Sequence, residues 1–426
     1  MKKLIAIAVV FALVAGAAFA ETSVSGTIDT RITVVNANNQ EDSDATIGGS
    51  VADGYVQLSG QDDDGKFGGL VRVRANETGD ISESEVDPTV NNGKHSHSWS
   101  GGFHRAFAWW QPIPQLRIFL GHDLDGKFGT DPLTAWGFHQ GGEGFVSRHD
   151  WDFWRMVFPG NWDGFGLAFS IYPAPGIDIN LVVPTGVPEW YPGATSKSGA
   201  SLTFKQLPAA LRLETGIGIP DIGKIYISWI GPRDEFKDNK KLGQIGGSFQ
   251  FTMVEGLNLQ AGVSAILRNK SDDAGHYGAF DPNGDDVKYP LAIGLAAHFS
   301  SGDFGVKFRS AFVLNSVAGF RTTDDTWRYR VHGNNTWEPF NPGTLITFNV
   351  MPFYNLGVMT AYLDIGADIG TPKDGDANIF FWLNPYVRKS IGPGAIRAGI
   401  MVEIDPDPVA DTVVNFRIPV QFTYSF

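Results

Sequence analysis

Arginine recurs at alternate positions in short stretches where every other residue is apolar. "LVRVRAN" sets Arg72 and Arg74 two apart, and "NFRIPVQFTYSF" places Arg417 among Phe416, Ile418, Val420 and Phe422. Arg31, Arg212, Lys307, Arg309, Arg388 and Arg397 hold the same polar side of other such stretches, joined there by Asp29, Glu214, Asp364, Asp368 and Glu403. A guanidinium stays charged at every physiological pH and presents five donors, so a row of them does not transfer protons. What such a row can do is set up a fixed field that attracts anions and orients dipoles.

Other groupings of reactive residues are weaker. "HSHS" (95–98), "GHDLDG" (121–126) and "RHDW" (148–151) bring His near Asp or Ser, without a nucleophile turn or recognisable motif context. No catalytic residue is assigned and the chain is not read as an enzyme. "DLDGKFGTD" and "DPNGDD" hint at calcium, but neither completes the ligand spacing with a closing Glu, so no metal site and no cofactor is expected. The 426-residue chain contains no cysteine, which excludes thiolate metal sites and disulfides, and its net charge of −13 argues against nucleic acid as a partner.

The arginines must be positioned by strands. A side-chain period of two means one apolar and one polar face. In the last stretch the alternation runs to the final residue, Phe426, with no polar tail. That pattern suits a strand whose apolar face meets lipid and whose other face meets water, and a membrane admits such strands only in a closed barrel. A charge facing lipid at mid-membrane costs about 2–4 kcal/mol, so the arginines and acids should face the interior.

Eighteen alternating segments can be counted, and the connections between them sort by parity. One set is tight and rich in Gly, Pro and Asp, including "GQDDDG", "QPIPQ", "PAPG", "PDIG", "VEG" and "SSGD". The other is long and polar, the largest being 77–97, 123–162, 184–208, 268–288 and 315–343. A barrel inserted from the periplasm keeps its turns short on that side and lets the opposite loops grow. The expected fold is therefore all-β: a transmembrane antiparallel β-barrel of about eighteen strands, with short periplasmic turns, long extracellular loops and both termini periplasmic. Sixteen strands remains an alternative, since "ASLTFKQL" within 184–208 makes the count uncertain. Pro352, Pro385 and Pro419 fall inside strands, where each removes a ladder donor at a cost on the order of 1–3 kcal/mol.

The opening "MKKLIAIAVVFALVAGAAFA" has two lysines, a short apolar run and a small-residue site, so residues 1–20 read as a cleaved secretory signal peptide and 21–426 as the barrel. The terminal Phe426 follows the general C-terminal signature of bacterial outer-membrane proteins. "FAWWQPIPQLRIFLG" and "LRLETGIGIPDIGKIYISWIG" resemble the strand–turn–strand segments of spirochaete (Treponema-type) outer-membrane porin-like proteins. The resemblance implies an outer-membrane location, recognition of the Phe426 strand by the barrel assembly machinery, and a pore.

These residues lead to an expectation of a passive, water-filled channel for small hydrophilic solutes. Arg31, Arg72, Arg74, Arg309, Arg388, Arg397 and Arg417 would supply a pore-lining basic wall. Its densest part lies on the first, third and last strands, which become neighbours on closure. The 123–162 connection carries Asp123, Asp125, Asp131, Glu143, Asp150 and Asp152, acids that would face that wall if the loop turns inward. Trp136, Trp151 and Trp154 in the same connection are candidates for stacking on a solute, or simply pack the loop. A sugar-selective channel and a non-conducting surface adhesin or structural barrel are the alternatives. Partners are membrane lipid and solutes, with a homo-oligomer left open.

Overall fold

The computed structural model describes residues 21–39, 45–78, 98–122, 129, 165–184, 211–231, 243–267, 291–316, 343–371, 378–405 and 412–426. Among them nineteen strands run antiparallel to their neighbours in one sheet. They begin with β1 (Glu21–Asn38), β2 (Thr46–Gln61), β3 (Phe67–Thr78), β4 (Ser98–Ile113) and β5 (Leu116–His122). Next come β6 (Phe165–Ala174), β7 (Ile177–Pro184), β8 (Arg212–Ile219), β9 (Gly223–Ile230), β10 (Gly243–Phe251) and β11 (Leu257–Leu267). The series continues with β12 (Leu291–Ser301), β13 (Phe304–Ser316), β14 (Gly343–Asn355), β15 (Thr360–Thr371) and β16 (Asn378–Ile391). It ends with β17 (Gly394–Gly399), β18 (Met401–Asp405) and β19 (Val413–Ser425). β1 pairs with both β2 and β19, so the sheet closes and leaves no edge.

Nineteen strands make eighteen crossings, because β17 and β18 are two halves of one. Two prolines explain the break. The register Tyr386↔Gly399 and Leu383↔Val402 sets Ile400 opposite Pro385. Ile400 N donates to Pro385 O at 2.9 Å, and Pro385 has no N–H to return. On the other side, Ala398↔Val420 and Met401↔Arg417 set Gly399 opposite Pro419. Pro419 also pairs with Thr33, where the β1 register shifts between Thr33 and Val35. The expected donor losses thus fall at one interruption and one bulge. Pro352 is handled similarly: the β14–β15 ladder skips from Val350↔Ile365 to Phe353↔Tyr362.

The hairpin turns at one end are short, as in Pro175-Gly176, where Gly176 has φ 79°, and Ser301–Asp303, where Gly302 has φ 57°. Asp221 takes φ 63° between β8 and β9, a conformation its short polar side chain tolerates. The chain between β5 and β6, by contrast, runs from His122 to Phe165 at the other end. The segment "ASLTFKQL" lies outside the described residues.

Burial is inverted relative to a soluble protein. Asn180, Glu214, Ser228, Gln260, Ser264, Asn384, Glu403 and Gln421 are buried, whereas Val24, Ile28, Ile32, Ile227, Ile293 and Leu120 are exposed. Along β12 the sequence LAIGLAAHF alternates exposed Leu291 and Ile293 with buried Ala292 and Ala296. An outward apolar band and a polar interior are what a membrane-spanning barrel requires.

The terminal aromatic finds its place at the closing seam. Gly26 N donates to Phe426 O at 2.8 Å, and Phe426 N returns a bond to Gly26 O at 3.0 Å. The Phe426 ring lies where a side chain at residue 26 would stand, since a Cβ there would approach its Cζ to 2.4 Å. Gly26→Val should therefore displace the ring and cost about 1–3 kcal/mol of overpacking. The readout is a lowered midpoint for the heat-induced mobility shift of the refolded barrel. An unchanged midpoint would mean that the ring does not rest on Gly26.

Candidate functional site

The inner wall carries its basic residues around the seam. Arg31 lies on β1, Arg72 and Arg74 on β3, Arg397 on β17 and Arg417 on β19, five positions on four of the five successive crossings from β17–β18 through the seam to β3. Arg72 donates from Nε and Nη2 to Gln57 Oε1 at 3.0 and 2.6 Å, and its guanidinium sits 4.3 Å from the centre of the Tyr55 ring. Planar stacking on one face and paired donation at the edge fix its direction. Across the seam, Arg397 Nη1 donates to Gln421 Oε1 at 3.4 Å, and Gln421 Nε2 donates to both Asp29 carboxylate oxygens at 2.7 and 2.6 Å. Arg417 donates to Asn36 Oδ1 at 3.2 Å and lies 3.6 Å from Glu403.

Of the other two arginines of the expected wall, Arg388 joins this group and Arg309 sits apart from it. Arg388 on β16 stands opposite Arg397 and is exposed near the short-turn end. Arg309 lies on β13, on the same face as buried Lys307. Arg105, opposite Arg72 on β4, belongs with the basic group although the sequence reading passed over it. Its alternation partners Phe107 and Trp109 hid it, because aromatic rings on the inner face make β4 look apolar on both sides.

The opposite wall is occupied. In a closed ring of eighteen crossings, β10 stands nine crossings from β1 and therefore across the lumen from the seam. Here Gly129, part of the 123–162 connection, lies against the inner face of β8, β9 and β11. Gly129 N donates to Glu214 Oε1 and Oε2 at 2.8 and 2.9 Å, and Gln260 Nε2 donates to Gly129 O at 2.7 Å. A Cβ at residue 129 would come within 2.6 Å of the Tyr226 ring, so only glycine fits this contact. Gln260 also donates to Ser248 Oγ at 2.9 Å, which holds its carboxamide in place for Gly129. Asp123, Asp125, Asp131, Glu143, Asp150 and Asp152 lie outside the described residues, as do Trp136, Trp151 and Trp154.

Two apolar patches occupy the flanking inner walls. Phe119, Ala168 and Val182 are buried together on β5–β7, with Phe107 and Trp109 packed against them. Met351, Trp382, Tyr386 and Met401 form the second on β14–β18, with Tyr362 stacked on Tyr386 at 4.7 Å and 3°. Trp382 Nε1 donates to Asp364 Oδ1 at 3.1 Å, and Asn349 Nδ2 donates to the same carboxylate oxygen. At the short-turn end, outside the spanning segments, Asp64 bonds Lys66 at 3.0 Å; that hydrogen bond and the attraction accompanying it push the Lys66 ammonium pKa up.

No family model matches the sequence, and no curated protein matches it. Among solved structures, OmpF of Salmonella typhi aligns with TM-score 0.51 and 12% identity, covering 95% of this chain and 97% of that one. OpdK, an outer-membrane protein of Pseudomonas aeruginosa, aligns with TM-score 0.52 and 10% identity over 95% and 99% of the two chains. OccAB4 of Acinetobacter baumannii gives TM-score 0.52 and 10% identity over 96% and 99%. This chain has their fold. With identities so low, the likeness extends to the closed antiparallel barrel and leaves the lumen residues to be read from this structure.

Proposed function

We propose that the protein is an outer-membrane porin, a passive channel through which small hydrophilic solutes diffuse without an energy source. The observation that carries this reading is the inverted burial around a closed barrel: charged and polar groups inside, a band of Val, Ile, Leu and Phe outside. An eighteen-crossing barrel is too wide for its inward side chains to fill. OpdK, whose fold this chain shares, is an outer-membrane protein, which supports the same placement. So does the likeness of the 107–121 and 211–231 segments to spirochaete porin-like proteins.

In this reading residues 1–20 direct secretion and are removed, and both termini and the short turns face the periplasm. The Phe426 strand engages the assembly machinery, and the β5–β6 connection narrows the passage opposite the seam arginines. The basic group and the docked connection then face each other across water. Solutes are sorted by size and by charge distribution rather than by chemistry.

The test is single-channel recording of the refolded protein, lacking residues 1–20, in a planar bilayer. Discrete steps of roughly nanosiemens size, the scale of a wide water-filled barrel, are expected. A protein that shifts mobility on heating like a folded barrel yet never conducts would overturn the proposal in favour of a plugged barrel acting at the cell surface.

A further inference from the structure

We propose that the short-turn end of the lumen holds a binding site for small organic cations bearing an ammonium group, centred on the Asp178 carboxylate. The proposal deepens the channel reading, on which it rests for a route that brings solute to the site. A cavity of about 720 Å³ lies between the inner wall of β6–β9 and Gly129, within the range of roughly 300–1,000 Å³ typical of small-molecule sites. Among the described residues that line it, the charged side chains are Asp178, Glu214 and Lys224, two carboxylates and one ammonium.

The wall is built to hold a cation there. Lys224 Nζ sits 2.5 Å from Asp178 Oδ1 and 4.9 Å from the centre of the Tyr226 ring. These two residues come from β9 and β7, and the pair spans β8 only because residue 216 is glycine. A Cβ there would meet Lys224 Cε at 2.5 Å and the Asp178 oxygens at 2.8 and 2.9 Å. The Lys224 head group thus occupies, on a tether, the position a solute ammonium would take, with a carboxylate beside it and an aromatic face beneath. Both partners reach water, with side chains 31% and 22% exposed, so a solute can exchange with the lysine rather than break a sealed ion pair. Glu214, which accepts from Gly129 N, lines the same cavity. An anion at the same place would face the Asp178 carboxylate.

The probe is benzylammonium, with benzyl alcohol as the neutral molecule of the same shape. Binding is read by saturation-transfer NMR on the full barrel refolded in detergent, at low salt, because screening weakens partly exposed charges. Wild type should bind benzylammonium and not benzyl alcohol. Lys224→Met, which removes the tethered competitor, should tighten benzylammonium binding about tenfold, the worth of one charge-assisted bond. Asp178→Asn, which keeps the shape, should abolish the preference for the amine.

Equal binding of the two probes would overturn the proposal. So would a Lys224→Met barrel, shown folded by its heat-induced mobility shift, that binds no more tightly than wild type. Because the readout needs no current, a barrel that binds the amine but does not conduct would sink the channel reading alone. One that conducts with no amine preference would sink this site alone.

Discussion

Gly129→Val channels should show larger and noisier single-channel currents than wild type. The argument is steric first. The chain at residue 129 passes so close to Tyr226 that a Cβ would stand 2.6 Å from the ring, and valine adds two more carbons. Tyr226 cannot easily retreat, since its ring is flanked by Lys224 and its hydroxyl donates to Gln250 Oε1 at 3.3 Å. The chain at residue 129 must then leave the wall, losing the bond from its amide to the buried Glu214 carboxylate and the bond it accepts from Gln260.

A hydrogen bond to a charged group contributes about 1.5–3 kcal/mol, so the docked population should fall roughly ten- to a hundredfold. Glu214→Gln provides the converse check. It keeps the shape, removes the charge and offers one acceptor oxygen in place of two, so its currents should fall between those of wild type and Gly129→Val. Unchanged conductance in both variants, with folding verified, would mean that the β5–β6 connection does not narrow the passage at residue 129.

Much of the scaffold was legible in the sequence, for a physical reason. A barrel strand must satisfy lipid on one side and water on the other, so the period of two survives in nearly every crossing. The turns on one side carry the Gly, Pro and Asp that tight reversals demand. The stretches "LAIGLAAHF" and "FGVKFRSAFVL" on either side of the tight "SSGD" turn show both constraints acting together. The halving of the seventeenth crossing was foreshadowed by Pro385 and Pro419, but only strand register shows that they face the same interruption.

The lumen was harder to read. Alternation assigns a face by polarity, yet the inner face also carries rings where it meets other protein. On β4 and β16 the inward residues include Phe107, Trp109, Trp382 and Tyr386, which a hydropathy pattern places in lipid. Asp178 and Lys224 are polar residues of the alternating stretches "IDINLVV" and "KIYISWI". Nothing local says that Gly216 lets them meet across an intervening strand. The docking of Gly129 is a contact between residues 85 and 131 positions apart in the chain, beyond the reach of any local rule.

Replacing Arg72, Arg74, Arg397 and Arg417 together with glutamine should move the ion selectivity of the channel toward cations. All four stand within three crossings of the seam, and glutamine preserves polarity and hydrogen bonding while removing the charge. Neutral partners hold two of them in place: Gln57 for Arg72, and Gln421 for Arg397. Amide-to-amide bonds can replace those contacts, so the fold should survive. Arg417 is different, because it lies 3.6 Å from Glu403, which is almost fully buried. Removing that guanidinium leaves a carboxylate without its countercharge, a change that costs more than a surface pair would. The quadruple variant should therefore be compared with one that also carries Glu403→Gln. If the loss of fixed positive charge is the cause, both should shift the zero-current potential in a salt gradient in the cation-selective direction. The shift should be large where the Debye length is about 10 Å, at 0.1 M salt, and shrink toward 1 M, where it is about 3 Å. A shift that ignores salt would point to an altered pore shape, and no shift at all would show that permeating ions do not pass the seam arginines.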